Sequence, residues 1–181
     1  IRDSSSSKVV FNGDGYGQEW QDEAAKRGLP NLRTSADALK VIADTNANNF
    51  LTDLNIYTPT ELTMRYNVRV EMYCMCRKIE FITLTNMIHK DILPAAISYK
   101  GMLAAGIDDQ KDAGCDAKVD KIILKDIDSK VSELYEKTKK LKEQTADLGD
   151  EIGDAEKIAY ELLPLSEETV SYTHLRAHET D

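Results

Sequence analysis

The sequence predicts an all-α protein, in which a long kinked helix and a heptad-patterned helix pack in an antiparallel helical bundle after a short turn-rich segment. Apolar residues recur at spacings of three and four over two long stretches, which is typical of helices with one buried face. Aromatic residues are few, and nine Gly and four Pro are fewer turn residues than a β-sandwich or barrel needs.

The turn-rich segment comes first. Residues 9–11 are apolar and predict a strand or an extended stretch. Asn-Gly and Asp-Gly follow in succession over residues 12–15 and predict a turn, because both pairs tolerate positive φ. A short helix is expected from Gln18 to Arg27, ended by Gly28 in the left-handed conformation and by Pro30.

A second helix is expected after Thr34, whose side chain is a helix-capping acceptor with an acid, Asp37, three residues later. Leu39, Val41 and Ile42 give this helix its apolar side. The polar stretch from residue 44 to residue 49 is expected to weaken or break it.

The long helix has the strongest start signal, because Thr58, Pro59 and Glu61 predict a capping box with proline at the first helical position. Pro94 predicts a kink, and Gly106 is expected to end the run. The expected buried face consists of Leu62, Tyr66, Val70, Tyr73, Ile79, Leu84, Met87, Ile88, Ile92, Ala95, Ala96, Tyr99 and Met102.

The heptad-patterned helix follows a polar link. Its seam alternates strictly in steps of three and four through Leu124, Ile127, Val131, Leu134, Thr138, Leu141, Thr145 and Leu148, with Ala117 one heptad earlier. Such a seam serves either a coiled-coil dimer or a bundle, and two Thr in it favour an antiparallel bundle. A last helix is expected from about Asp150, with Ala155, Ile158, Ala159 and Leu162 inward.

Composition excludes several classes of function. The 181 residues suffice for one domain with a hydrophobic core. A net charge of −9 argues against nucleic-acid binding, which needs clustered Lys and Arg. Three cysteines do not suggest a disulfide framework, and no apolar run is long enough to span a membrane. Because the chain lacks an initiator Met and a signal peptide, it is expected to be cytoplasmic and to begin inside a longer protein.

Four motifs could carry chemistry, and none predicts a catalytic, cofactor-binding or metal-binding residue. The glycines Gly13, Gly15 and Gly17 lack the Lys-Ser/Thr of a phosphate-binding loop, so they indicate a turn. Cys74 and Cys76 lie two apart in a helix and point to different sides, which disfavours zinc. His89 is without a nucleophile motif and is expected at the helix surface or in an interhelical hydrogen bond.

The fourth motif lies in the tail. His174 and His178 have the spacing of a helical metal-binding pair. However, Val170-Ser171-Tyr172-Thr173-His174-Leu175-Arg176-Ala177-His178-Glu179-Thr180 is similar to one translated frame of a widely used transposase-based sequencing adapter. The stretch from Val170 to Asp181 is therefore expected to be adapter read-through, and the histidine pair an artefact.

The segment after the first apolar run resembles a known family. Residues 11–16 (FNGDGY), Glu19-Trp20 and residues 23–32 (EAAKRGLPNL) are similar to the segment that follows the catalytic core of type III glutamine synthetases. Ala38-Leu39, Glu61-Leu62, Arg65-Tyr66, Ile79-Glu80, Met87 and residues 90–95 (KDILPA) continue the likeness into that family's helical C-terminal domain. Gly17 departs from the family pattern, which commonly has Ser there.

The resemblance implies a parent enzyme that joins ammonia to glutamate with ATP and magnesium or manganese, and that assembles as a homo-oligomer. It also implies that the catalytic residues lie before residue 1, so this chain would hold none and would bind no cofactor itself. Its partners would be the rest of the parent enzyme and the other subunits, with no nucleic acid and no membrane. Since the family's last helix is absent, apolar surface is expected to be exposed at Ile158, Leu162 and Leu163.

Two readings of the whole chain follow. In the first, residues 1–33 end the catalytic region, residues 34–168 form a truncated helical C-terminal domain and residues 169–181 are a non-native tail. The chain is then a structural, oligomer-supporting fragment of a glutamate–ammonia ligase. In the second, the chain is a stand-alone helical interaction or scaffold protein whose heptad helix binds a partner.

Overall fold

The structure, a computed structural model, describes residues 9–173, with the backbone alone for Thr45, Tyr172 and Thr173. This part of the chain is all-α, as predicted. The helices are α1 (Gln18–Arg27), α2 (Ser35–Ala43), α3 (Thr45–Asp53), α4 (Pro59–Met87), α5 (Leu93–Asp112), α6 (Lys118–Ala146), α7 (Ile152–Lys157) and α8 (Leu163–Thr173). A π-helical turn joins α4 to α5 (Ile88–Ile92), and another joins α7 to α8 (Ile158–Leu162).

Val9 is helical and residues 10–12 have no regular structure, so the strand alternative for residues 9–11 is wrong. The turn predicted over residues 12–15 lies two residues later, over residues 14–17, where the Asp14 carbonyl accepts from the Gly17 amide at 3.2 Å. The glycines of this segment do not use positive φ; the glycines with positive φ in residues 9–173 are Gly28 and Gly114. Gly28 ends α1 in the left-handed conformation, as predicted.

The break expected after α2 is confined to one residue. Thr34 caps α2 as predicted, with its side chain accepting from the Asp37 amide. Asp44 ends α2 and also caps α3, because its carboxylate accepts from the Asn46 amide at 2.9 Å. The polar residues after Asp44 are therefore helical, contrary to the expectation of a longer break.

The capping box of α4 is confirmed at Thr58 and Glu61. The kink expected from Pro94 takes the form of a π turn just before the proline. In that turn the Leu93 amide donates to the Ile88 carbonyl, five residues back instead of four. Since Pro94 has no N–H, the wider turn accommodates its ring while the chain remains helical on both sides.

Gly106 does not end the run, because α5 continues to Asp112. The end comes at Gly114, whose φ is 85°. The Cys115 amide donates to the Gln110 carbonyl at 2.8 Å and the Gly114 amide to the Lys111 carbonyl at 2.9 Å. These two bonds form a Schellman motif, for which a residue in the left-handed conformation is required.

The buried face of the α4–α5 run differs in part from the predicted one. Ile79, Met87, Tyr99 and Met102 are exposed, although the spacing predicted them inside. The buried residues include four that the predicted face omits: Cys74, Phe81, Leu93 and Ile107. The π turn explains part of this difference, because one additional residue in a turn rotates every later side chain about the helix axis.

The heptad helix is confirmed as α6, and it packs within the chain against α4, α5 and α8. Its seam is buried most completely from Leu134 to Leu148. The two seam threonines, Thr138 and Thr145, are 0% and 3% exposed. Each hydroxyl donates to the carbonyl four residues back at 2.7 Å, so neither is left without a partner in the core.

The last helical run covers this seam. Ala155, Ile158, Ala159 and Leu162 are buried as predicted. The apolar surface expected at Ile158, Leu162 and Leu163 is absent, because Ile158 and Leu162 are 0% exposed and Leu163 is half-buried. These side chains pack on α2, α4 and α6, whose core residues include Leu39, Phe81 and Leu141. The chain therefore closes this core with its own residues.

Gly106 within α5 and Gly114 just after its end offer a matched test of where this helix ends. Replacing Gly114 with Ala should lower the free energy of unfolding by about 1 kcal/mol, because alanine disfavours the left-handed conformation. Replacing Gly106 with Ala should raise it by roughly 0.5–1 kcal/mol, since Gly106 is helical and a Cβ there would meet no atom within 4 Å. Urea denaturation of both variants checks the opposite signs. Equal signs would contradict this assignment of the helix end.

Candidate functional site

A polar clamp joins the start of α2 to the π turn before α8. The Tyr160 hydroxyl donates to the Asp37 carboxylate, at 2.7 Å from both oxygens, and the Thr34 hydroxyl donates to the same carboxylate at 2.7 Å. Hydrogen bonds from Tyr160 and then Thr34 hold the pKa of Asp37 below its ordinary value. Beside it, a hydrogen-bonded ion pair with Glu156 raises the pKa of Lys40. These groups fix two helices relative to each other, and all lie near the surface.

The glycine-rich loop lies before α1 and is held by local contacts. The Phe11 ring packs against Trp20 with 5.0 Å between ring centroids, and the Arg27 guanidinium donates to the Val10 carbonyl at 3.0 Å. Gly13 lies so close to the Phe11 ring that a Cβ would come within 2.7 Å of it. The Phe11 ring would have to shift to admit a side chain at this position.

The two helical cysteines point to different sides of α4, as predicted. Cys74 is buried, and its thiol donates weakly to the Glu151 carbonyl at 3.7 Å. Burial raises the pKa of the Cys74 thiol to about 11. Cys76 and Cys115 are exposed. No group of three or more His, Cys, Asp or Glu within residues 9–173 could hold a metal ion; His174 and His178 lie outside the described residues.

His89 lies at the helix surface in the first π turn, which agrees with the prediction. Its Nδ1–H donates to the Thr85 carbonyl at 2.8 Å, so Nδ1 carries the proton. The centroid of its ring lies 6.2 Å from the centroid of the Tyr135 ring on α6. The histidine therefore joins the π turn to the neighbouring helix.

The surface with the clearest capacity for binding is the solvent side of α4. The core side of the helix carries Val70, Cys74 and Phe81, yet large apolar side chains on the same helix are exposed, and six of them follow one another at steps of three and four. They are Met64, Val68, Met72, Met75, Ile79 and Ile82, and we call them the α4 stripe. Of these six residues, only Ile79 belongs to the buried face that the sequence predicts. Their spacing of three and four was a signal that two apolar faces share one helix.

A second surface lies where α5 faces the first half of α6. Ile97, Gly101, Ala104 and Leu124 form the apolar part of an open groove, with lysines along its edges. Lys100 and Asp128 form an ion pair across it, and Lys111 pairs with Asp108 at 2.8 Å. The Lys100–Asp128 pair joins α5 to α6, whereas Lys111 and Asp108 both lie on α5.

The buried thiol gives a direct test of the orientation of α4. With Ellman's reagent at pH 8, two thiols should react fast and one slowly, because a pKa two units above the ordinary value lowers the thiolate fraction about a hundredfold. In denaturant all three should react fast. The Cys74→Ala variant is the control and should lose only the slow thiol. Three fast thiols in the native chain would contradict the burial of Cys74.

Comparison with known proteins gives consistent matches. A family model described as "Glutamine synthetase C-terminal domain" matches residues 3–111. A glutamine synthetase of Butyrivibrio fibrisolvens is 35% identical over 141 residues, covering 76% of this chain and 20% of the relative. A glutamine synthetase of Bacteroides fragilis (strain YCH46) is 37% identical over 99 residues, covering 55% and 14%. A type-3 glutamine synthetase of Dictyostelium discoideum is 34% identical over 100 residues, also covering 55% and 14%.

The chain thus spans a fifth or less of the length of these relatives. The matched residues include the glycine-rich loop, the α2 side of the clamp, the whole of α4, and α5 up to Lys111. In the part of the chain that the structure describes, no helix is long and apolar enough to cross a membrane.

Proposed function

Since the chain belongs to the glutamine synthetase family, in the part described as its C-terminal domain, we propose that it is a non-catalytic, structural part of an ATP-dependent glutamate–ammonia ligase. The observation that carries the proposal is the part of the relatives that this chain matches. Residues 3–111 correspond to a C-terminal domain. The relatives are at least about five times longer than the part they share with this chain. The groups that bind glutamate, ATP and magnesium or manganese would then belong to the rest of the parent enzyme.

The structural role consists of supporting the parent's homo-oligomer in the cytoplasm. Residues of α2, α4, α6 and α7 bury one another in a hydrophobic core. Such a bundle is suited to this role, because its packing holds the surface residues in fixed positions without a bound ligand. The locally folded segment around Phe11 and Trp20 would connect the bundle to the catalytic part, with residues 1–33 as the junction and residues 34–168 as the domain.

An activity assay and a chimaera test the proposal. The chain alone should form no glutamine above background from glutamate, ammonium and ATP, since it would lack the substrate-binding groups. Residues 9–168 should replace the corresponding part of the Butyrivibrio fibrisolvens relative and preserve both its activity and its assembly, whereas a version of that relative without this part should lose its assembly. Turnover by the chain alone, or a truncated relative that assembles normally, would contradict the proposal.

The alternative function is a stand-alone scaffold protein. Sequencing the source DNA upstream of Ile1 distinguishes it from the ligase fragment. An open frame that continues upstream into a catalytic region supports the ligase fragment. A start codon just before Ile1 would favour the scaffold.

We also propose that residues 169–181 are not part of the natural protein. Resequencing the source DNA with a library chemistry that uses no such adapter should give different codons after residue 168 or 169. In the structure α8 continues to Thr173 and Thr169 is 0% exposed, so the tail residues nearest the domain extend its last helix.

This arrangement predicts different effects of two truncations. Ending the chain at Thr173 should leave the melting temperature within about 1 °C, whereas ending it at Glu168 should lower it by roughly 2–4 °C, because that truncation also removes a buried side chain. Thermal melts followed by circular dichroism measure both. A large loss from the shorter deletion would show that residues 174–181 contribute to the fold.

A further inference from the structure

The α4 stripe is a long apolar surface on the side of the helix opposite the core. Its six side chains are between 45% and 61% exposed, and from Met64 to Ile82 they extend over about 27 Å of helix. Single exposed apolar residues are ordinary on a protein surface, but a continuous row on one helix face marks an interaction site.

The spacing within the stripe matches the seam of a two-helix pair. From Val68 the residues follow at steps of four, three, four and three to Ile82, which is the alternation of the a and d positions in a heptad. The helix is already formed and held by the bundle behind it, so pairing does not require the chain to fold at the same time. Two heptads can then associate, although an isolated peptide of that length would be marginal.

We propose that the α4 stripe binds a second copy of this chain, with the two α4 helices antiparallel and a two-fold axis between Met72 and Met75. In this register an a position of one helix faces a d position of the other. Met72 lies opposite Met75 of the second copy, and Val68 lies opposite Ile79. The same patch serves both copies, as a two-fold dimer requires.

The charges beside the stripe select this partner and this direction. Glu71 and Lys78 both occupy g positions, and antiparallel pairing brings g positions together. Glu71 therefore faces Lys78 of the second copy, and the two-fold axis repeats this opposite-charge contact. In a parallel pair Glu71 would face Cys76, and Lys78 would face Thr83, so the complementarity would be lost. Lys78 already donates to the Leu148 carbonyl at 2.8 Å, and its ammonium has two further donors.

The oligomeric state of the chain tests the proposal. Light scattering on a sizing column should give twice the 20.3 kDa chain mass at about 100 µM and dissociation on dilution toward the micromolar range. The Met72→Glu, Met75→Glu double variant should be monomeric with an unchanged circular dichroism spectrum, because it buries four charges at the centre of the pair. Met102→Glu, at another exposed Met, is the matched control and should remain dimeric.

Disulfide trapping tests the register independently. The antiparallel pair places residue 69 opposite Cys76 of the second copy, since both are e positions. In a Cys115→Ser background, Arg69→Cys should therefore form a covalent dimer under mild oxidation, while Asn67→Cys, on another side of α4, should not. A chain that is monomeric at about 100 µM, or a dimer that the Met72→Glu, Met75→Glu double variant leaves intact, would overturn the proposal. Equal trapping at residues 67 and 69 would overturn the antiparallel register.

Discussion

The fold depends on the burial of one seam, the side of α6 from Leu134 to Leu148. Helices from both halves of the chain pack on it: α4 and α5 before it in sequence, α8 after it. Two of the buried positions are threonines, which fit this role because each hydroxyl bonds to its own helix. A threonine is narrower than leucine, so neighbouring helices can approach α6 while no polar atom is left unsatisfied. The polar clamp between Asp37 and Tyr160 lies at the exposed edge of this core. It orients α2 relative to the last helical run and buries little apolar surface.

The sequence predicted what local chemistry decides. The caps at Thr34 and Thr58, the left-handed Gly28 and the strict seam of α6 depend on residues within a few positions of one another, and all are confirmed. Errors arose where the tertiary environment decides. Gly106 lies in a helix that continues, because a helical glycine weakens a helix without stopping it, and the Schellman motif at Gly114 comes two turns later.

The largest error concerned α4 and had a physical cause. A helix that is apolar on two sides has almost no net amphipathic direction, so periodicity alone does not tell the core side from the solvent side. Met72 and Cys74 are both apolar and both fit a spacing of three and four with some neighbours, but only Cys74 is buried.

The family resemblance rests most specifically on residues 11–32. These residues lie in a small unit held by the Phe11–Trp20 contact and contribute little to the predicted core. Family membership could be inferred from sequence, while the surface that mediates interactions needed the structure.

The two π turns have a consequence for how this domain tolerates change in length. Each contains a fully buried isoleucine, Ile88 or Ile158, and each is followed by a Leu-Pro pair. In both, the amide of that leucine donates to the isoleucine carbonyl five residues back, so the turn holds one residue more than an α-helix would. Removing a single residue there would regularise the helix and at the same time turn everything beyond it by roughly 100°. The proline, which an unbroken α-helix accommodates poorly, opposes that change. The single proline after each π turn therefore helps to fix the rotation of one end of the helical run relative to the other.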